Sequence, residues 1–294
     1  MKRRSFIGSS LLFPLALKAM KNNELNRMLF SGENTAKMPV LFVGHGSPMN
    51  AIEENEFVQG WRNIGKSLPH PKAILCVSAH WETRGTFVTA MPKPKTIHDF
   101  GGFPKALYEV EYPAPGSPEL ANETKRTVTK TTVGLDEKWG LDHGAWSVIR
   151  RLYPEADVPV IQMSLDYGQA PQYHFELAKE LSALRKKGVL IIGSGNMVHN
   201  LRMVAWDKIN EPEYGYDWAI QANNKFKTLI ESGDFKSLVN YASLGREVQL
   251  AVPTPDHYLP LLYSLALKDK DEPIFFFNDK PVMGSLTLTS VKIG

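Results

Sequence analysis

The chain has 294 residues, 43% of them apolar and 22% charged, which is enough to bury a full core in one large domain and too apolar for a disordered chain. Its formal net charge is only +3, with Lys and Arg interspersed among Asp and Glu, which argues against a nucleic-acid partner. A single cysteine, Cys76, excludes an intramolecular disulfide, and its place inside an apolar run assigns it to packing and not to thiolate chemistry.

In chain order, Lys2, Arg3 and Arg4 precede a mostly apolar segment, residues 6–17, which polar Lys18, Lys21, Asn22 and Asn23 follow. This is the layout of a signal peptide. The apolar segment is too short to span a bilayer comfortably, and Arg3-Arg4-Ser5-Phe6-Ile7 is similar to a twin-arginine export signal. Residues 1–37 are therefore expected to be an export signal and linker. That implies a periplasmic or otherwise exported protein, with the cytoplasm as the alternative and no stable membrane span once the leader is removed. Residues 38–294 are expected to be one catalytic domain.

The run 39–43 is rich in β-formers and is punctuated by Gly44, Gly46 and Pro48, so it reads as a buried strand that stops in a loop at His45. Residues 52–68 have helical spacing and end at Pro69 and Pro71. Residues 73–78 read as a second strand, running into Ala79-His80-Trp81. A strand is expected at 84–90, then a Pro- and Gly-rich loop at 91–118, long enough to shape a binding site. Ser117-Pro118-Glu119 starts a helix to about 132, and a helical segment at 146–152 follows the polar turn that carries His143. A strand at 158–165 leads to a helix opened by Pro171, with Phe175, Ala178, Leu181 and Leu184 as its apolar stripe. That helix closes on the basic turn Arg185-Lys186-Lys187 before Gly188, where cations oppose the dipole. The strand 189–192 runs into Gly193-Ser194-Gly195-Asn196-Met197-Val198-His199. A helix at 216–232, a strand-like run at 248–252, a helix at 259–267 and strands at 273–277 and 285–293 complete the chain. The alternation predicts a single-domain α/β sandwich whose central sheet is largely parallel, though mixed, with helices on both faces.

Three apolar strands thus deliver three of the eight histidines, His45, His80 and His199, to strand ends. His257, in Pro255-Asp256-His257-Tyr258, lies between the run at 248–252 and the next helix. Ligands of open α/β sheets bind beyond the carboxyl ends of the strands, so these imidazoles can converge, and a histidine-rich metal centre is the natural hypothesis. His70, beside a proline-flanked loop, and His174, in a helix's first turn, read as surface residues.

These motifs, taken together, resemble the class III (LigB-type) extradiol ring-cleavage dioxygenases, and within them the 4,5-DOPA extradiol dioxygenase subgroup. The resemblance is carried by Gly44-His45-Gly46-Ser47-Pro48, Ser78-Ala79-His80-Trp81, Ile97-His98-Asp99-Phe100-Gly101-Gly102-Phe103-Pro104, Leu141-Asp142-His143-Gly144-Ala145-Trp146, Gly193 to Asn200, and Pro253-Thr254-Pro255-Asp256-His257-Tyr258. They fall in order across residues 38–294. The resemblance implies one divalent metal, Fe(II) for activity or Zn(II) as bound, held by His45, His80 and His257, with His199 as a fourth ligand or close neighbour. It implies His143 as an active-site acid/base, with His199 as a second candidate, and a DOPA-like catechol and O2 as the reactants, giving a muconate-semialdehyde-type product. In the wider superfamily a carboxylate is the third ligand; here the motif offers His257 with Asp256 adjacent, so both metals stay open. A histidine that titrates near neutrality can move the protons that ring opening requires. Two other readings remain: a tetrapyrrole metal chelatase, because GHGS after a first strand also resembles that family's opening, and a non-catalytic or hydrolytic zinc protein. Oligomeric state is not legible.

Overall fold

The computed structural model describes residues 36–294. The expected twin-arginine leader, its apolar segment and all but the end of the linker lie outside the described residues. Among the described residues no helix is long and apolar enough to cross a membrane.

The chain runs β1 (Val40–Gly44), α1 (Glu56–Ser67), β2 (Ala73–Thr83), β3 (Thr86–Thr89), α2 (Lys105–Tyr108), α3 (Pro118–Thr127), β4 (Val133–Asp136), α4 (His143–Leu152) and β5 (Val160–Asp166). It continues through α5 (Pro171–Glu180), α6 (Ser182–Arg185), β6 (Val189–Gly195), α7 (Asp217–Ser232), α8 (Phe235–Val239), α9 (Arg246–Ala251) and α10 (Leu259–Ala266). It ends in β7 (Ile274–Phe277), β8 (Pro281–Val282), β9 (Leu286–Thr287) and β10 (Ser290–Ile293). Eight strands form one sheet in the order β4-β3-β5-β2-β6-β1-β10-β7, while β8 and β9 form a separate two-stranded ribbon. The centre, β5-β2-β6-β1, is parallel; β10 and β7 add antiparallel strands on one side, and β3 meets β5 antiparallel on the other. The expected fold class, α/β with a mixed and largely parallel sheet, is what the chain adopts.

Side-chain alternation divides the core in two. Val40 and Phe42 of β1, Leu75 and Val77 of β2, and Val189 and Ile191 of β6 point to one face. Their neighbours Leu41, Val43, Ile74, Cys76, Leu190 and Ile192 point to the other. Because both faces of the parallel strands are covered, their sequences are continuous apolar runs. The first face carries α3, α5, α7 and α10 through residues such as Leu120, Leu177, Phe226 and Leu262; the second carries α1 and α4 through Trp61, Trp146 and Ile149.

Several expected elements are different in the structure. Residues 248–252 are not a strand: they fall in the helix α9 and its cap, whose Val248 and Ala251 are buried three residues apart on one helical face. Four apolar residues in a stretch of five, broken only by Gln249, satisfy either period, and here the helical one won. The strand β4 lies where the helix from Ser117 was expected to be ending, and that helix stops at Thr127. The last strand expected at 285–293 breaks into β9 and β10. His174 is fully buried, not superficial, with its Nδ1 3.1 Å from the Tyr263 hydroxyl. Arg185 is likewise buried, and its guanidinium binds Glu272 bidentately at 2.5 and 2.9 Å and the carbonyls of Met38 and Leu267. His70 is exposed, as expected.

Candidate metal centre

The parallel strands end at one edge, and the histidines gather there. β1 continues past Gly44 for one more ladder bond, from His45 N–H to the Gly195 carbonyl at 3.1 Å, which sets His45 beside the end of β6. His80 is not in a loop beyond β2, as the sequence implied, but inside the strand, where the register with β5 shifts between Val77 and Glu82. Such irregularities re-aim a strand side chain, and this one turns His80 toward His45. His257 arrives from the turn before α10. Its carbonyl accepts the Asn196 N–H at 2.9 Å, an approach that needs glycine in β6, because a Cβ on Gly195 would lie 2.2 Å from that carbonyl oxygen.

One ring nitrogen from each of His45, His80 and His257 lies within 4.8 Å of the others, and His45 Nε2 and His80 Nε2 are 3.1 Å apart. Two imidazole nitrogens bound to one ion at about 2.1 Å each, at angles between about 90° and 110°, are about 3.0 to 3.4 Å apart, so this spacing fits a shared divalent ion. In each ring the other nitrogen is engaged. Ser194 Oγ donates to the Gly144 carbonyl at 2.6 Å and therefore accepts from His45 Nδ1 at 3.1 Å. His80 Nδ1 faces Asp99 Oδ2 at 3.3 Å, and His257 Nδ1 is hydrogen-bonded to Asp256 Oδ2. Occupied Nδ1 atoms leave three Nε2 lone pairs for a cation, the arrangement of outer partners that orients ligating histidines.

Burial, reinforced by the neighbouring rings, pushes His45 and His80 well below the ordinary histidine value, which favours the neutral, ligating form. The carboxylates stand one layer out. Burial opposes ionisation of Asp256, but the hydrogen bond and charge of His257 hold its carboxyl well below the usual range; His143 does the same for Asp99 against its burial. The positive charge that an all-imidazole shell leaves uncompensated thus meets two anionic side chains behind His80 and His257.

His143 opens α4, whose N-cap is Asp142. Its ring lies 3.9 Å from that of His80, centroid to centroid. Asp142 is fully buried and accepts from Ser78 at 2.7 Å and Gln162 at 2.7 Å, which locks the turn before His143 to β2 and β5. Gly144 is required next, since a Cβ there would lie 2.6 Å from Ser78 Oγ and 2.8 Å from the His80 ring.

His199 is brought to the edge of the cluster. Its ring stacks on His257 with centroids 3.5 Å apart and planes 8° from parallel. His199, Asp256 and His257 each offer one ligand atom within 4.8 Å of the others. Burial, with His257 next to it, pushes His199 down to about 3. Over the centre, Phe100 stands edge-on to His143 at 5.6 Å and packs on Phe103 and Tyr108 at 5.4 and 5.2 Å. The supporting residues Asp99, Ser194, Asp142 and Gln162 were not singled out from sequence, although the first three lie inside the quoted motifs.

Comparison with known proteins bears on this arrangement. The family model described as the catalytic LigB subunit of aromatic ring-opening dioxygenase matches residues 38–279. The chain is 49% identical over 266 residues to the 4,5-DOPA dioxygenase extradiol of Escherichia coli strain K12, spanning 89% of this chain and 96% of that one. It is 38% identical over 229 residues to the protein of the same name from Beta vulgaris, spanning 75% and 83%. A crystal structure of an uncharacterised Escherichia coli K12 protein is similar with a TM-score of 0.76 and 43% identity, covering 88% of this chain and 100% of that one. With a metal-ready histidine cluster at the strand ends and matches along nearly all of its described length, the chain belongs to the LigB family of aromatic ring-opening, metal-dependent extradiol dioxygenases.

Proposed function

We propose that this protein opens the ring of a DOPA-like catechol beside its hydroxyl pair with O2, giving a muconate-semialdehyde-type product. Fe(II) is the working metal in this reading, and Zn(II) fills the same site when iron is scarce. The observation that carries the reading is the cluster itself: three imidazoles with engaged Nδ1 atoms and Nε2 atoms that face one another. The names of the relatives support the DOPA-like substrate.

His45, His80 and His257 would hold the ion, and three protein ligands leave positions for small molecules. When bound, the ion supplies Lewis acidity for both catechol oxygens and, as Fe(II), electrons for dioxygen. The chain's own contribution is proton management and shape. His143, beside His80 and buried at the start of α4, is placed to take a catechol proton and return one as the ring opens. His199, flat against His257, is the second candidate for that work and forms a wall of the site. Phe100, Phe103 and Tyr108 present aromatic surface to a planar ring and shield it from water. Residues 38–294 act as one catalytic domain in this reading, and the Arg3-Arg4 leader supports export of the folded, metal-loaded protein.

The test is anaerobic loading with Fe(II), addition of L-DOPA, and admission of oxygen. A yellow semialdehyde and one O2 consumed per catechol are expected. Absence of both from iron-loaded protein would remove the reading.

A further inference from the structure

Asp99 belongs to no ligand set expected from the sequence, yet it touches two of the clustered histidines at once. Its Oδ2 is 3.3 Å from His80 Nδ1 and its Oδ1 is 3.1 Å from His143 Nδ1; the same Oδ1 accepts the His143 backbone N–H at 2.8 Å. The side chain is only 18% exposed although it rides on a surface segment. That segment is pinned just before Asp99. Ile97 donates its N–H to the Leu141 carbonyl at 2.7 Å and accepts from the Trp146 indole at 2.8 Å, and His98 Nε2 meets the Val110 carbonyl at 3.0 Å. Just past Phe100, a Cβ on Gly101 or Gly102 would meet nothing within 4 Å.

We propose that Asp99 is a positioning residue that ties the metal-facing His80 and the proton-transferring His143 together through one carboxylate, so that metal retention and ring opening share a support. The roles of the two histidines rest on the function proposed above. A carboxylate behind Nδ1 fixes the tautomer and direction of a ligating imidazole and raises its basicity. At the amino terminus of α4 the same anion is favoured by the helix dipole and by a first-turn N–H that has no partner within the helix. Each oxygen faces its own histidine, so loss of the charge loosens two different things: the grip of His80 through Oδ2 and the placement of His143, whose backbone N–H donates to Oδ1 while its Nδ1 lies 3.1 Å away without a hydrogen bond.

The test uses wild type, Asp99→Asn, Asp99→Ser, Asp99→Glu, His143→Ala and the double variant Asp99→Asn with His143→Ala, each full length. Release of Zn(II) to a chromophoric chelator reads the His80 contact without turnover. Asp99→Asn and Asp99→Ser are expected to release zinc about 10- to 100-fold faster than wild type, with Asp99→Glu between, at nearly unchanged thermal midpoints. In Fe(II)-loaded protein with L-DOPA and oxygen, Asp99→Asn is expected to lose about 10- to 100-fold in kcat while KM moves less than about threefold. On the His143→Ala background the same change should cost nothing further in kcat, whereas zinc release stays fast. Wild-type zinc release from both Asp99→Asn and Asp99→Ser overturns the proposal. A kcat loss that persists in full on the His143→Ala background overturns it too, since Asp99 would then act on substrate directly. If wild type opens no catechol, the proposed reaction fails, yet zinc release still decides what Asp99 does for His80.

Discussion

Ser194 Oγ lies 3.1 Å from His45 Nδ1 and gives its own proton to the Gly144 carbonyl at 2.6 Å, so the serine fixes which nitrogen of His45 carries hydrogen. A hydroxyl has one proton; once Gly144 takes it, Ser194 can only accept from His45, and Nε2 is left with its lone pair toward the cluster. One buried side chain of β6 thereby joins the end of β1 to the first turn of α4. Ser194→Ala is expected to weaken zinc affinity about 10- to 100-fold without unfolding the protein. Competitive titration against a chelator of known affinity measures it, and wild-type affinity in the variant would mean the serine does not set the tautomer.

Removal of a ligand should have a larger effect. His45→Ala, His80→Ala and His257→Ala are each expected to leave a folded protein with an empty site, because the three side chains gather at one edge of the sheet and belong to neither apolar cluster. Elemental analysis of protein purified without chelators checks this. Stoichiometric metal in His45→Ala would refute its assignment as a ligand.

How much of this was legible depended on where the information lay. His45, His80 and His257 could be picked out because an apolar run that stops at glycine, proline or a polar turn marks a strand or helix end locally. The same local reasoning misplaced residues 248–252, where four apolar residues around Gln249 fit either period. His174 was misread from its proximity to Pro171; Leu177 and Ala178, three and four residues on, put it on the buried stripe of α5. Arg185 reads from sequence only as a last-turn cation that opposes the dipole, because its carboxylate partner, Glu272, is 87 residues away. Asp99 lay in plain sight within a quoted motif, but its meaning depends on residues 80 and 143 meeting it in space, and no spacing rule encodes that.

The buried His174 should make stability depend on pH. Burial pushes its value from an ordinary 6.5 down to about 4, so the folded protein keeps it neutral while the unfolded chain protonates it. Its contribution is fully present above about pH 6.5 and is lost as pH falls toward 4, amounting to about 3 kcal/mol across that window. Urea midpoints of metal-loaded wild type and His174→Asn between pH 7.5 and 4.5, a range set by this window of about two pH units, give the check. The variant should show the shallower acid slope by about one proton, and equal slopes would exclude His174 as a contributor.

Export is open to an equally direct test. Replacement of both Arg3 and Arg4 by Lys preserves charge but not the guanidinium pair, so a twin-arginine signal should fail and the protein should stay in the cytoplasm. Fractionation of cells that express the two forms measures it. Equal export of the double variant would point to a different route.

His143 and His199 can be separated by what each loses. His143 is close to His80, with its Nδ1 3.1 Å from Asp99 Oδ1, and His199 lies flat on His257. If both serve proton transfer and neither holds the metal, His143→Ala and His199→Ala both keep stoichiometric metal. His143→Ala should also keep its affinity for catechol while ring opening slows by about a hundredfold to ten-thousandfold, the range for loss of a general acid or base. His199→Ala removes a wall of the site as well as a proton carrier, so catechol affinity should fall along with rate. Bound metal, catechol affinity under anaerobic conditions and single-turnover ring opening, measured on both variants, distinguish these outcomes. Metal loss from His199→Ala would restore it as a fourth ligand, and wild-type ring opening by His143→Ala would remove that residue from proton transfer.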